Sequence, residues 1–323
     1  MLKKNKISPL KIKRAFLFLL CFLFFFIPGQ NWYSIVQANY YPSTVRDLDF
    51  SLPPSANYPV NMGKSSFPNL TARALGVVDI DSSAVLTSRN DKLRVLPAST
   101  VKLMTALVAF DHYSLNDVLT VGFIEKNGQG IDLVAGEKIT VRNLLYGLLV
   151  ASGNDAALVL AQNYPGGERS FVGAMNQKAE KLNLLSTYFA NPTGLDSDKD
   201  NNLLTDFSYT TALDLAHLAT YALKNDELKQ IVSTAETTIS DITGTKRHQL
   251  YNINELLNKL PGMKGLKTGW TEEAGECLVG YTERNNHGII TVILGSQDRF
   301  GETEKLTNWI FANFNWVEVI PSI

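Results

Sequence analysis

Ser99 and Lys102 stand three residues apart at the head of the apolar run LPASTVKLMTAL in this 323-residue sequence. A serine hydroxyl is a weak nucleophile until a neighbouring base removes its proton, and residues i and i+3 share one face of a helix. If the helix is buried, desolvation lowers the pKa of Lys102 and makes it a suitable base. The alternative is a capping serine followed by a solvated lysine.

The Ser-x-x-Lys pattern needs further support, because a second copy occurs at Ser8 to Lys11 in the basic N-terminal segment. Support comes from two further motifs, Ser152-Gly153-Asn154 and Lys267-Thr268-Gly269. Ser-x-Asn occurs at four places in the chain, whereas Lys-Thr-Gly occurs once. The ordered set of three motifs is therefore much more specific than any one of them.

The second and third motifs supply groups that an activated serine needs. Ser152 would relay a proton towards a leaving amine, and Asn154 offers an amide that grips a peptide backbone. Lys267 and Thr268 would hold a substrate carboxylate at a strand edge, and Gly269 would let the chain pass close to the substrate. A second cation near the base would lower the pKa of that base further. The helix N-terminus adds positive potential and N–H groups where an oxyanion develops.

The elements around these motifs follow from apolar patterning. ALGVVDID and AVLTSRN predict a hairpin, and a buried helix follows Pro97. Residues 112–225 are mainly helical in pattern, and strands return from about residue 228 in LKQIVSTAETTI, MKGLKTGWT, ECLVGYTER and HGIITVILGS. A closing helix, RFGETEKLTNWIFANF, carries aromatic residues expected in the core: Trp309, Phe311 and Phe314. The prediction is an α/β (α+β) fold, an antiparallel sheet flanked by helices with an inserted all-helical lobe.

The N-terminal segment has the pattern of an export signal. A basic head precedes the apolar run AFLFLLCFLFFFI, residues 15–27. Residues 1–38 therefore predict a signal peptide, cleaved after VQA, or an N-terminal membrane anchor, and the remainder is expected to be exported. Residues 39–71, rich in proline, predict a linker, and residues 72–323 a catalytic domain. Cleavage would remove Cys21 and leave Cys277, which is expected to pack in the core without a disulfide partner.

Charge and histidine placement exclude some classes of function. Six of the 30 basic residues lie among the first fourteen, so the remainder carries 24 basic against 31 acidic residues, a net charge of about −7. No basic patch or nucleic-acid motif is evident, so no nucleic-acid partner is expected. The histidines lack metal-ligand spacing, so neither a metal nor another cofactor is expected; they are His112, His217, His248 and His287.

ASTVKLMTAL, LLYGLLVASGNDAALVLA, NPTGLD and GLKTGWTEEAGECLVGYT together resemble the low-molecular-mass penicillin-binding proteins, the serine D-alanyl-D-alanine carboxypeptidases of peptidase family S11. The resemblance covers residues 72–315. It implies a β-lactamase/DD-transpeptidase-like fold and an exported enzyme that acts on peptidoglycan stem peptides ending in D-Ala-D-Ala. β-Lactam antibiotics would be covalent inhibitors.

The resemblance also implies a role for each motif residue. The acylated nucleophile would be Ser99, with Lys102 as general base. The remaining site would comprise Ser152, Asn154, Lys267, Thr268, Gly269 and the oxyanion-hole N–H groups of Ser99 and Trp270. Asp155, next to the second motif, is expected to cap a helix or make a structural hydrogen bond.

Other functions remain open at this point. Many relatives carry a further β-domain and an amphipathic membrane helix; since the sequence ends shortly after NWIFANF, any membrane attachment is expected through its N-terminal segment. Shortened members include D,D-endopeptidases that cut peptidoglycan cross-links. A β-lactamase needs a carboxylate for deacylation, but Glu255 lies only twelve residues before Lys267 and predicts the start of a short helix instead. A non-catalytic peptidoglycan-binding module would leave all three motifs without use.

Overall fold

The computed structural model describes residues 56–124, 127–196 and 207–319. The predicted signal or anchor, residues 1–38, and the first part of the predicted linker, residues 39–55, lie outside these ranges. The strands of the described ranges are β1 (Ala56–Asn61), β2 (Ala74–Asp79), β3 (Val85–Arg89), β4 (Val118–Thr120), β5 (Lys138–Thr140), β6 (Glu236–Ser240), β7 (Arg247–Tyr251), β8 (Met263–Thr271), β9 (Gly275–Arg284), β10 (His287–Ser296) and β11 (Phe314–Val319).

The described ranges also contain α-helices, which lie between the strands along the chain. They are α1 (Lys102–His112), α2 (Val141–Leu149), α3 (Asn154–Gln162), α4 (Gly167–Lys181), α5 (Ala212–Ala222), α6 (Asp226–Val232) and α7 (Arg299–Asn313). Within the described ranges, no helix combines the length and hydropathy needed to cross a bilayer. A short 3₁₀ helix, Glu255–Asn258, begins where the sequence predicts one, and its Glu255 forms an exposed ion pair with Lys259.

The central sheet has the order β3-β2-β10-β9-β8, and each neighbouring pair is antiparallel. A tight turn joins β9 to β10 at Asn285 and Asn286, both of which have positive φ, as a primed hairpin turn requires. Leu306 and Ile310 of α7 pack on one face of the sheet, and α5 packs on β2 and β10. The predicted fold class is confirmed. Cys277 in β9 is buried, which raises the pKa of its thiol to about 11; a packing role fits this inert thiol.

The inserted lobe surrounds α1, whose residues from Lys102 to Ala109 are all buried. The segment predicted as helical, residues 112–225, contains α2 to α5 and the small ribbon β4–β5. Since α1 is packed on all sides, a lysine in its first turn lies in the protein interior.

The predicted strand LKQIVSTAETTI is wrong in its first half, where α6 forms before β6 begins. Asn225 caps this helix by accepting a hydrogen bond from the N–H of Leu228. Leu228, Ile231 and Val232 are buried at helical spacing. The cap and the spacing were signals for a helix, but the β-branched residues nearby favoured a strand.

The folded body begins before Ala72, which is the start that the sequence predicts. β1 pairs with β11 along its whole length, and Leu70 is only 5% exposed. Residues 56–71 are thus part of the folded body rather than of a linker. Pro59 is tolerated because it lies in a two-stranded edge ribbon. Phe314, the first residue of β11, is buried, and the two aromatic residues of α7 that were expected in the core are partly buried against the same cluster, so this prediction is confirmed.

Candidate active site

Ser99 lies in a 3₁₀ turn, Ala98–Val101, that leads directly into α1. Ala98 has φ 48°, in the left-handed region that is sterically costly for a residue with a side chain. Thr100 fixes the turn, because its hydroxyl donates a 2.7 Å hydrogen bond to the Pro97 carbonyl. The Ser99 hydroxyl contacts Lys102 Nζ at 2.7 Å. This contact would let Lys102 act as base for the Ser99 hydroxyl, and neither the 3₁₀ turn nor α1 begins with a side-chain capping hydrogen bond.

Lys102 is fully buried, and its Nζ has three oxygen neighbours. They are Ser99 Oγ at 2.7 Å, Asn154 Oδ1 at 2.7 Å and the Thr193 carbonyl at 2.8 Å. The last two oxygens can only accept hydrogen bonds. They would use both N–H groups of a neutral amine and leave its lone pair facing the Ser99 hydroxyl.

Burial also sets the charge of Lys102. Desolvation lowers the pKa of its ammonium from 10.5 to about 7, and the negative charge of Asp155 opposes part of that decrease. A substantial share of these side chains is therefore neutral near pH 7. The solvated-lysine alternative is wrong, because no part of the side chain reaches water.

Lys267 is the second buried cation of the site, 2% exposed in β8. Its Nζ donates to Ser152 Oγ at 2.8 Å and to the Thr268 carbonyl at 2.7 Å. Burial lowers the pKa of Lys267 well below 10.5, and repulsion from Lys102 and Arg299 lowers it further. Lys267 was expected to lower the pKa of Lys102, but in the structure the repulsion between the two lysines lowers the pKa of Lys267.

The second motif lies in the turn between α2 and α3. Ser152 is buried and has φ 59°, a second strained position in the site. Asn154 binds Lys102 through Oδ1 and donates from Nδ2 to the Asn127 carbonyl at 2.8 Å. Its amide thus has protein partners at both ends, where the sequence predicted a grip on substrate. Asp155 makes the predicted structural hydrogen bonds, since its carboxylate accepts the N–H groups of Ile131 and Leu133.

Gly269 lies against the 3₁₀ turn that carries Ser99, here called the serine turn, and a larger residue would not fit there. A Cβ added there would lie 2.8 Å from the Ser99 nitrogen and 3.2 Å from the Pro97 carbonyl oxygen. The sequence predicts that the substrate passes close to this glycine. In the structure the close neighbour is the backbone of the serine turn.

Gly194, in the NPTGLD loop, also packs against the turn that carries Ser99. It has φ +79°, and an added Cβ would lie 2.1 Å from the Ala98 carbonyl oxygen. We expect Gly194→Ala to lower the free energy of unfolding by at least about 3 kcal/mol, since the clash adds to the left-handed backbone cost. Chemical denaturation measures this loss.

Gly244→Ala is the matched control, because Gly244 has φ +72° and an added Cβ there would meet open space. Only the backbone cost applies there, so the expected loss is about 1 kcal/mol. Equal losses for the two variants would contradict a close packing of the NPTGLD loop on the serine turn.

The three motifs meet in one cleft of about 630 Å³. Ser99, Ser152, Asn154, Thr268, Gly269 and Trp270 line it, while Lys102 and Lys267 lie buried behind the two serines. The Trp270 side chain is 61% exposed at the cleft. All the sequence-predicted site residues are therefore brought together.

The sequence did not predict every contributor to the site, and Arg299 and the Thr193 carbonyl are two examples. Arg299, the first residue of α7, lines the cleft and donates to the Gly269 carbonyl at 3.0 Å. Its Nε is buried without a hydrogen-bond partner among the described residues. The Thr193 carbonyl binds Lys102; the NPTGLD motif was a signal for this turn, which Asn191 stabilises by accepting the N–H of Gly194. No local pattern distinguishes Arg299.

Comparison with known proteins matches residues 61–298 to the peptidase S11 family model, described as D-alanyl-D-alanine carboxypeptidase. D-alanyl-D-alanine carboxypeptidase DacF of Bacillus subtilis is 31% identical over 253 residues, which cover 75% of this chain and 63% of that protein. The chain thus spans less than two thirds of that relative. D-alanyl-D-alanine endopeptidase of Pseudomonas aeruginosa is 35% identical over 281 residues, 83% of this chain and 84% of that one.

Solved structures of DD-peptidases are also similar to this chain in fold and sequence. The crystal structure of the Streptomyces K15 DD-transpeptidase superposes with a TM-score of 0.70 at 30% identity. The match covers 77% of this chain and all of the Streptomyces chain.

Proposed function

Because the chain belongs to the D-alanyl-D-alanine carboxypeptidase family of serine peptidases, we propose that it removes the terminal D-alanine from peptidoglycan stem peptides through an acyl-enzyme at Ser99. The observation that carries the proposal is the 2.7 Å contact between Ser99 Oγ and Lys102 Nζ. Burial keeps this lysine partly neutral, so it can take the serine proton.

The reaction would begin when Ser99 Oγ attacks the carbonyl carbon between the two D-alanines and its proton passes to Lys102. The backbone N–H groups of Ser99 and Trp270 would stabilise the oxyanion. Ser152 would then carry a proton to the leaving amine, so that D-alanine departs and an ester to Ser99 remains. Water attacks this ester, with Lys102 again as base, and frees the shortened peptide. β-Lactams would acylate the same serine.

The terminal carboxylate would bind near Lys267, Thr268 and Arg299. Lys267→Ala is expected to lower kcat/KM for a D-Ala-D-Ala peptide about 10- to 100-fold more than kcat/KM for an acylating thioester without a carboxylate, since a charged hydrogen bond contributes about 1.5–3 kcal/mol. A general loss on both substrates is also expected, because Lys267 binds Ser152. Steady-state kinetics with the two substrates measure the difference.

Lys264→Ala is the matched control, because Lys264 lies on the same strand with its side chain 49% exposed. It should change neither rate. Equal losses on both substrates in Lys267→Ala would count against a carboxylate contact.

A D,D-endopeptidase is the second candidate, because the Pseudomonas relative carries that name. Mass analysis of products from purified muropeptides separates the two. Release of alanine from monomers supports the carboxypeptidase, whereas conversion of cross-linked dimers to monomers without alanine release would replace it by the endopeptidase.

We also propose that the protein acts outside the cytoplasm, because residues 15–27 and the basic head before them have the sequence pattern of an export signal. Mass analysis of the protein from a membrane and a soluble extracytoplasmic fraction tests both forms. A mature chain starting at Asn39 would indicate cleavage, and a full-length chain in the membrane fraction an N-terminal anchor.

A further inference from the structure

Residues 127–133, here called the cleft loop, contact the residue that orients the base. Its Asn127 carbonyl accepts from Asn154 Nδ2 at 2.8 Å, and its Gln129 carbonyl accepts from the Asn154 backbone N–H at 2.8 Å. Asn154 Oδ1 in turn lies 2.7 Å from Lys102 Nζ. The cleft loop and the base are therefore joined through one amide group.

The orientation of that amide matters for the chemistry. A carbonyl oxygen only accepts, so Asn127 requires the NH₂ end of Asn154 and leaves the oxygen end for Lys102. If the cleft loop withdrew, the amide could rotate and present its NH₂ group to the lysine. That group would compete with the Ser99 hydroxyl for the lone pair of the neutral amine.

The cleft loop is held at Ile131 from two directions. The Ile131 N–H donates to the Asp155 carboxylate at 2.9 Å, and its carbonyl lies 2.8 Å from His248 Nδ1. His248 belongs to β7, far away in sequence, and is 9% exposed. This side chain anchors the cleft loop to a different part of the fold.

The second ring nitrogen of His248 is also engaged. Nε2 lies 2.8 Å from Oε1 of the buried Glu137, whose Oε2 accepts the Val134 N–H at 3.2 Å. Since the Ile131 carbonyl only accepts, Nδ1 must carry a hydrogen. The hydrogen bond between Nε2 and Glu137 needs one further hydrogen, which either His248 or Glu137 can carry.

We propose that His248 is a positioning residue for this active site: its Nδ1–H holds the cleft loop at Ile131, and the loop fixes the Asn154 amide that orients Lys102. The proposal rests on the proposed function only through the acylation of Ser99. It predicts that loss of the donor to Ile131 slows acylation without removing any group that touches substrate.

Two substitutions of His248 separate positioning from packing. In His248→Asn the amide nitrogen lies near the place of Nδ1 and keeps the bond to Ile131. In His248→Gln the amide nitrogen takes the position of Nε2. This larger side chain therefore keeps the hydrogen bond to Glu137 and loses the one to the Ile131 carbonyl. We expect acylation by a fluorescent penicillin to fall about tenfold to a hundredfold in the Gln variant, the size that a small misplacement of catalytic groups produces. The Asn variant should stay within about threefold of wild type.

The readout is the acylation rate constant at saturating penicillin, measured on folded protein and compared with the dissociation constant of the non-covalent complex. The loss should fall on the rate constant. Glu137→Gln is the matched control, because its amide can donate to Nε2 and accept from Val134, and it should acylate like the wild type. A packing role predicts instead that the Asn variant, with the smaller side chain, is at least as impaired as the Gln variant.

Equal acylation in both His248 variants would overturn the positioning role. In the wild-type protein, ¹⁵N NMR of the ring should show a hydrogen on Nδ1, and its absence would overturn the role even if a variant failed to fold. Absence of wild-type acylation would contradict the proposed function instead, so the two failures are distinguishable.

Discussion

Replacing Ser99 by alanine should abolish both covalent labelling by a fluorescent penicillin and release of D-alanine, a loss of at least about 10,000-fold. The reason is chemical, since the variant has no oxygen at the position that Lys102 contacts. The cleft itself should remain, because the turn is fixed by Thr100 and by the close approach of Gly194 and Gly269. Gel fluorescence and intact-protein mass measure the labelling.

Ser8→Ala is the control for this result, since Ser8 begins the other Ser-x-x-Lys sequence of the chain. It should label like the wild type once exported. Labelling of the Ser99→Ala variant at another residue would refute the assignment of the nucleophile.

The acylation rate should fall about tenfold for each pH unit below pH 7 and level off above it, because only neutral Lys102 can accept the serine proton. The direction follows from its lowered pKa, about 7: acid protonates the amine, and alkali leaves it neutral. Lys102→Arg should lose at least about a thousandfold, because a guanidinium stays protonated throughout this range. Stopped-flow acylation across pH measures both effects.

Lys259→Arg provides the comparison, because Lys259 is exposed in its ion pair with Glu255. It should keep the wild-type profile. A wild-type rate that did not change between pH 5 and 8, or an active Lys102→Arg variant, would refute Lys102 as the base.

The central sheet, α1 and the three motifs could be predicted because each depends on a local pattern. Apolar runs joined by the turn residues Asn285 and Asn286 define β9 and β10, and apolar residues all round α1 indicate its burial. The motif residues then come together because the fold brings those elements together. For example, Lys267 lies 115 residues from Ser152 in sequence, yet their side chains are hydrogen-bonded.

What could not be predicted depends on contacts between distant segments. β1 is a strand because β11 pairs with it, and its own sequence, ANYPVN, contains a proline. Arg299 reaches the cleft only because α7 begins beside β8. His248 has no partner nearby in the sequence, and only the position of β7 in the fold places it against Ile131.

The β1–β11 ribbon has a consequence for how the chain can be rearranged. Ala56 is paired with Val319, so the first and last described residues of the folded body are neighbours. A short Gly-Ser bridge between these two positions would close residues 56–319 into a ring. New ends could then be opened in the β6–β7 hairpin at Gly244, where an added Cβ meets open space, and the circularly permuted protein should keep the same cleft.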